Sequence, residues 1–195
     1  MALVILNATA ALPGRLPEGW QLKVNRGTPD ITLIGDTTGR VLRFKSHKSS
    51  FALERGVDVD VSQFPLLTWM WKVSELPAGG DFRRPSSDDQ AAQVLVAFAD
   101  RRILTYIWDS SAPKGSAQGV SSLPLVHIFA VVCRSGREEL NQWLPETHDL
   151  AQDYRKAFGR PPARVKGIRL QINSQHTGTT AESYFGDVSF RSAQL

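Results

Sequence analysis

The chain has 195 residues, 42% of them hydrophobic and 22% charged, with 15 glycines and 11 prolines. Such a composition suits one globular domain and excludes a disordered, collagen-like or disulfide-stapled chain. The formal charge of +4 is dispersed, with basic pairs such as Arg83-Arg84 and Arg101-Arg102 but no basic stripe of the kind nucleic-acid binders use. The longest apolar run, Leu123 to Cys133 with His127 inside it, falls well short of the roughly 20 residues of a membrane-spanning helix.

In chain order, the first apolar run is Ala2 to Leu6, followed by Ala8-Thr9-Ala10. It lacks the basic start and the apolar length of a signal peptide and is read as a first strand. Short apolar segments then recur about every 10 residues between Gly, Pro, Asp and Ser, the pattern of an all-β sandwich. The segments are Leu3 to Leu6, Gln21 to Val24, Ile31 to Ile34, Val41 to Lys45, Phe51 to Asp60, Leu66 to Val73, Gln93 to Phe98, Ile103 to Trp108, Leu125 to Val132, Val165 to Asn173 and Ser183 to Phe190. Two sheets of about five antiparallel strands, in a single domain over residues 1–195, are expected from them. In the Val165 to Asn173 segment, Ile168, Leu170 and Ile172 alternate with Arg169, Gln171 and Asn173, giving one buried and one polar face.

One segment breaks the strand pattern. Leu150, Tyr154 and Phe158 recur every fourth residue, Thr147 or Asp149 can cap the start, and Gly159 followed by Pro161-Pro162 ends the segment. A short helix near residues 149–158, lying across one sheet, is predicted. Gly79 to Gln90 and Pro113 to Pro124 read as long loops, which in a compact domain tend to carry function.

Chemistry-bearing residues concentrate between Leu66 and Asp109. Trp69 and Trp71 share one face of their strand, and Met70 and Lys72 the other. The following loop holds Asp81, Arg83, Arg84, Asp88, Asp89 and Gln90, and the next strands bring Gln93, Tyr106, Trp108 and Asp109. In an antiparallel meander these would meet. Aromatic rings beside fixed donors and acceptors suit a saccharide or another polyhydroxylated small molecule, with Trp71, Tyr106 and Trp108 as platforms and Lys72, Asp81, Arg83, Asp88, Asp89 and Asp109 as polar contacts. The same tryptophans also read as core residues, since one face of each central strand must be buried, and the same charges as solvated loop pairs. A second reading is an enzyme, whether lyase, hydrolase, isomerase or cyclase, that pairs Asp81 or Asp109 with Asp88 or Asp89 and uses Tyr106 or His127 to move a proton. His127, inside an apolar run, also reads as a core histidine. Asp81, Asp88 and Asp89 offer oxygens to a hard cation such as calcium, without any EF-hand spacing; no cofactor is otherwise implied. Cys133 is the single cysteine, so an internal disulfide is impossible, and its apolar setting reads as core. Motifs for dinucleotides, nucleotides, zinc peptidases and α/β-hydrolases are absent. Oligomeric state is not encoded in any pattern here.

Several runs resemble a bacterial family of unknown function, DUF3047. They are Leu67-Thr68-Trp69-Met70-Trp71-Lys72-Val73, Leu76-Pro77-Ala78-Gly79-Gly80-Asp81, Asp88-Asp89-Gln90-Ala91-Ala92-Gln93, Tyr106-Ile107-Trp108-Asp109, Asp153-Tyr154-Arg155-Lys156-Ala157-Phe158-Gly159 and Ala181-Glu182-Ser183-Tyr184-Phe185-Gly186-Asp187-Val188-Ser189-Phe190. The resemblance spans roughly Trp20 to Phe190. It implies a jelly-roll sandwich similar to carbohydrate-binding modules and an exported or periplasmic protein, but no established activity. Where the family has an acidic loop before the last strand, this chain reads Asn173-Ser174-Gln175-His176-Thr177. A chain that starts at Met1 without a leader would by itself be expected in the cytoplasm.

Overall fold

The computed structural model describes residues 1–11, 15–37, 39–123 and 125–193, with the backbone alone over 121–123. In chain order the strands are β1 (Ala2–Leu6), β2 (Gln21–Arg26), β3 (Ile31–Asp36), β4 (Gly39–His47), β5 (Ser50–Val59), β6 (Leu66–Glu75) and β7 (Ala92–Phe98). They continue as β8 (Arg102–Asp109), β9 (Ala117–Leu123), β10 (Val126–Ser135), β11 (Leu144–Asp149), β12 (Val165–Asn173) and β13 (Thr180–Arg191), with α1 (Leu150–Phe158) after β11. One sheet runs β11-β6-β13-β4-β3 with β1 on β13; the other runs β2-β5-β12-β7-β8-β10-β9.

The two sheets face each other in the expected all-β sandwich. Apolar alternation along each strand turns one face inward: Ile168, Leu170 and Ile172 of β12 are buried, as are Val94 and Val96 of β7 and Trp69, Trp71 and Val73 of β6. Aromatic pairs cross between the sheets, with ring centroids 6.1 Å apart for Phe44 and Phe51, 5.3 Å for Trp69 and Tyr106, and 6.0 Å for Trp71 and Trp108. Stacked and tilted contacts of this kind add to the area they bury.

The helix follows its sequence signals. Asp149 accepts a bond from the Gln152 amide, and Gly159 closes the helix at φ 67°, a left-handed conformation that glycine adopts without steric cost. Its buried side, Leu150 and Tyr154, packs over one edge of the sandwich, where the Tyr154 ring meets Phe98 at 4.6 Å.

Three expectations need correction. β6 belongs to one sheet and β7 and β8 to the other, so Leu66 to Asp109 is not a meander and Trp71 meets Trp108 across the sandwich. β10 pairs with β8 in parallel, the one departure from antiparallel pairing among the described residues. Part of the predicted loop from Pro113 is strand β9, which pairs with β10; Pro124, its predicted end, lies outside the described residues.

Candidate functional site

The sequence-predicted residues separate into four places. Trp71, Tyr106 and Trp108 have no exposed surface, so their rings belong to the core and present no face to a ligand. Their polar ends are satisfied internally. Trp71 Nε1 donates to Glu146 at 3.2 Å, Trp108 Nε1 to the Gly136 carbonyl at 3.2 Å, and Tyr106 Oη to Asp153 at 2.7 Å. Burial, reinforced by Asp153, pushes the Tyr106 phenol well up. A phenol so placed does not give up its proton near neutral pH.

Asp81, Arg83, Asp88, Asp89 and Asp109 do gather around the 79–90 loop, but most of their bonding capacity is used there. Asp81 takes both guanidinium bonds of Arg83 at 2.8 Å, and those bonds hold its carboxyl below the usual range. Asp89, fully buried, accepts from the amides of Thr177 at 2.6 Å and His176 at 3.3 Å. Asp109, also fully buried, accepts from the amides of Phe82, Ser111 and Ala112 at 2.7–2.9 Å; burial nevertheless raises its carboxyl. Asp88 accepts from Gln90 Nε2 at 2.8 Å and is likewise raised by burial. Asn173 ties the loop to β12 and β7, receiving the Gln90 amide at 2.9 Å and Gln93 Nε2 at 2.6 Å. These carboxylates hold loops in place. Asp81 and Asp89 are turned to different partners.

Lys72 and His127 lie apart from this loop. Lys72 is on the outer face of the other sheet, paired with Asp36 and set over the rings of Trp143 (5.1 Å) and Tyr184 (4.4 Å). The His127 side chain is exposed, neither core nor near the loop carboxylates; it borders a depression with Phe129 and Phe158. The acid/base set Asp81, Asp88, Asp89, Asp109, Tyr106 and His127 is therefore not assembled around one cavity.

The cavity that suits a ligand lies on the outer face of the seven-stranded sheet. Strand pairing sets Gly56 opposite Gly167, then Ala97 and Ile103 beside them. The next row aligns Gln21, Glu54, Arg169, Leu95 and Thr105. Side chains two apart on a strand share a face, so both rows point outward. All of these but Thr105 line a groove of about 440 Å³, within the range of small-molecule sites. Its floor is low because Gly56 and Gly167 have no side chain: a Cβ at Gly56 would meet nothing within 4 Å. Glu54 and Arg169 form an ion pair at 2.7 Å directly across β5 and β12. Thr105, in the row beside Leu95, has a buried hydroxyl with no hydrogen-bond partner. Further along the same face, Phe82 of the 79–90 loop packs with Ile107, Ala130 and Val132 and covers the sheet. The charged loop therefore covers the face beyond the groove without supplying its lining.

Sequence reasoning missed this groove because its lining is spread over Gln21 to Arg169. Two signals were present: glycines inside strand patterns, which mark close approach or space above the backbone, and Arg169 on the polar face of the clearest alternation.

Three solved structures share the architecture at low identity. The xyloglucanase domain of NopAA, a type three effector from Sinorhizobium fredii solved with cellobiose, matches at a TM-score of 0.55 and 11% identity, covering 89% of this chain and 93% of that one. The family 30 carbohydrate-binding module of the cellulosomal cellulase Cel9D-Cel44B of Clostridium thermocellum matches at 0.55 and 12%, covering 100% and 99%. The family 11 module of Lic26A-Cel5E from the same organism matches at 0.50 and 8%, covering 99% and 95%. These likenesses show the fold. No curated protein matches the sequence. The model of a protein family of unknown function, DUF3047, matches residues 18–189, and the chain belongs to that family.

Proposed function

We propose that this protein binds a saccharide or another polyhydroxylated small molecule in the groove on the outer face of its seven-stranded sheet. The observation that carries the reading is the groove itself. An aliphatic floor of Gly56, Gly167, Ala97, Leu95 and Ile103 lies beside Gln21 and the ion pair of Glu54 and Arg169. Apolar C–H faces of a sugar ring settle on such a floor, while the carboxylate, guanidinium and amide bind hydroxyls and set orientation. Structural neighbours from saccharide-active and saccharide-binding proteins share the sandwich, which makes this ligand class the first to test.

Binding without chemistry is favoured over catalysis. Glycoside hydrolysis uses two carboxyl groups flanking the scissile bond, about 5–9.5 Å apart. The residues lining the groove include a single carboxylate, Glu54, and Arg169 neutralises it.

A broad glycan array probed with the purified chain, followed by calorimetry on each hit, tests the reading. Binding is expected, weakened at least tenfold in Arg169→Ala with the melting temperature nearly unchanged. Failure to bind any glycan, or equal binding by Arg169→Ala, overturns it.

A further inference from the structure

The groove leaves unused a mixed set of donor atoms at one edge of the sandwich. Cys133 of β10 is buried and turned inward; Glu146 and His148 of β11 are two apart and share a face. One donor atom from each of the three lies within 4.8 Å of the others, and Cys133 Sγ is 3.4 Å from His148 Nε2. The three types, thiol, imidazole and carboxylate, are those that hold zinc.

The histidine is preset for that use. Its Nδ1 lies 3.1 Å from Asp153 Oδ2, so a proton on Nδ1 leaves the Nε2 lone pair facing the sulfur. Asp153 is in turn fixed by the Tyr106 hydroxyl at 2.7 Å. The imidazole lies nearly flat on Trp69, at 17° and 5.3 Å, and is tilted against Tyr106 at 4.2 Å. Ligating histidines are typically oriented by such a carboxylate behind the ring. Glu146 is steadied by Arg134 Nε at 2.6 Å and Trp71 Nε1 at 3.2 Å, both on Oε1.

Distances and access agree. Zinc bonds of about 2.3 Å to sulfur and about 2.0 Å to nitrogen put tetrahedral ligands roughly 3.6 Å apart. The Sγ to Nε2 separation of 3.4 Å is already close to that. The side chains of His148 and Asp153 keep 20% and 24% of their surface exposed, which sets the cluster beside solvent.

We propose that Cys133, Glu146 and His148 bind one thiophilic divalent transition-metal ion, zinc foremost, with Asp153 orienting His148 and a fourth position left to water. A thiol donor selects against calcium and magnesium. Since β10 and β11 belong to different sheets, the ion joins the two layers and stabilises the sandwich by linkage.

The test uses the full chain stripped with a chelator. Titration with zinc is expected to show one equivalent and a higher melting temperature. Titration with cobalt(II) is expected to show a thiolate-to-metal charge-transfer band. X-ray absorption of the zinc-loaded wild type is expected to find a sulfur neighbour at about 2.3 Å, a readout that needs no variant to fold. Cys133→Ser and His148→Ala are expected to lose the band. Asp153→Asn is expected to keep it with about 10–100-fold weaker uptake, and His176→Ala, on a distant loop, to match wild type. Absence of the cobalt band, or a zinc spectrum without sulfur, overturns the proposal.

Discussion

The 79–90 loop and the groove over β5, β12 and β7 lie along one face of the same sheet, yet they use charge differently. Asp89 in the loop and Asp109 beside it at the end of β8 are fully buried, and backbone amides occupy their oxygens. In the groove, Glu54 and Arg169 stay about a third exposed, at 38% and 33% of their side-chain surface, above a floor cleared by two glycines. A carboxylate that already accepts bonds from amides of its own chain has little left for a ligand, however many carboxylates stand near it. A paired but solvated group can exchange its water for hydroxyls.

The comparison breaks first at the aromatic core. Trp108→Ala removes a ring enclosed between the sheets and is expected to cost about 3–5 kcal/mol, measured by urea unfolding. A variant that kept its stability but lost binding would return Trp108 to the ligand site. Asp109→Ala is expected to cost about 3 kcal/mol, because buried amides would lose their acceptor. In a variant still folded at low temperature, saccharide binding is expected to persist. Calorimetry below the unfolding transition separates the two effects. A further prediction concerns acid. Asp36 sits on the opposite sheet, its carboxyl held down to about 2 mainly by its bond from Lys72. Its folded value lies below the unfolded one, so the stability it contributes is complete above about pH 4 and is lost as pH falls towards 2. Lys72→Met is therefore expected to flatten the fall in melting temperature between pH 4 and 2 and to leave groove binding at neutral pH unchanged. A change in binding would place Lys72 in the ligand site after all.

Local pattern carried much of this molecule. The inward alternation of β12, the shared face of Trp69 and Trp71, and both caps of α1 were legible because each depends on neighbours a few residues away. Sheet membership was not, since whether β6 pairs with β7 or packs against it is settled by contacts far apart in sequence. β9 and β11 were missed for another reason: Ala-Gln-Gly-Val-Ser-Ser-Leu and Leu-Pro-Glu-Thr-His-Asp lack clean alternation, as edge strands often do, and Pro145 is tolerated at an edge. The aromatic–carboxylate patch failed at the same step. Tyr106 and Trp108 alternate inward on β8, which leaves Ile103 and Thr105 to face outward beside the groove. His148 and Asp153 straddle a strand–helix boundary, so their approach to Cys133 had no sequence spacing to reveal it.

Gly56→Phe tests the central claim most directly. The exposed backbone at Gly56 has open space where a Cβ would stand, so a phenyl ring there fills the groove without crowding the core. With a saccharide identified on the array, calorimetry is expected to show binding lost in Gly56→Phe while its melting temperature stays within a few degrees of wild type. Undiminished affinity in a folded Gly56→Phe protein would contradict the account and move the ligand site elsewhere.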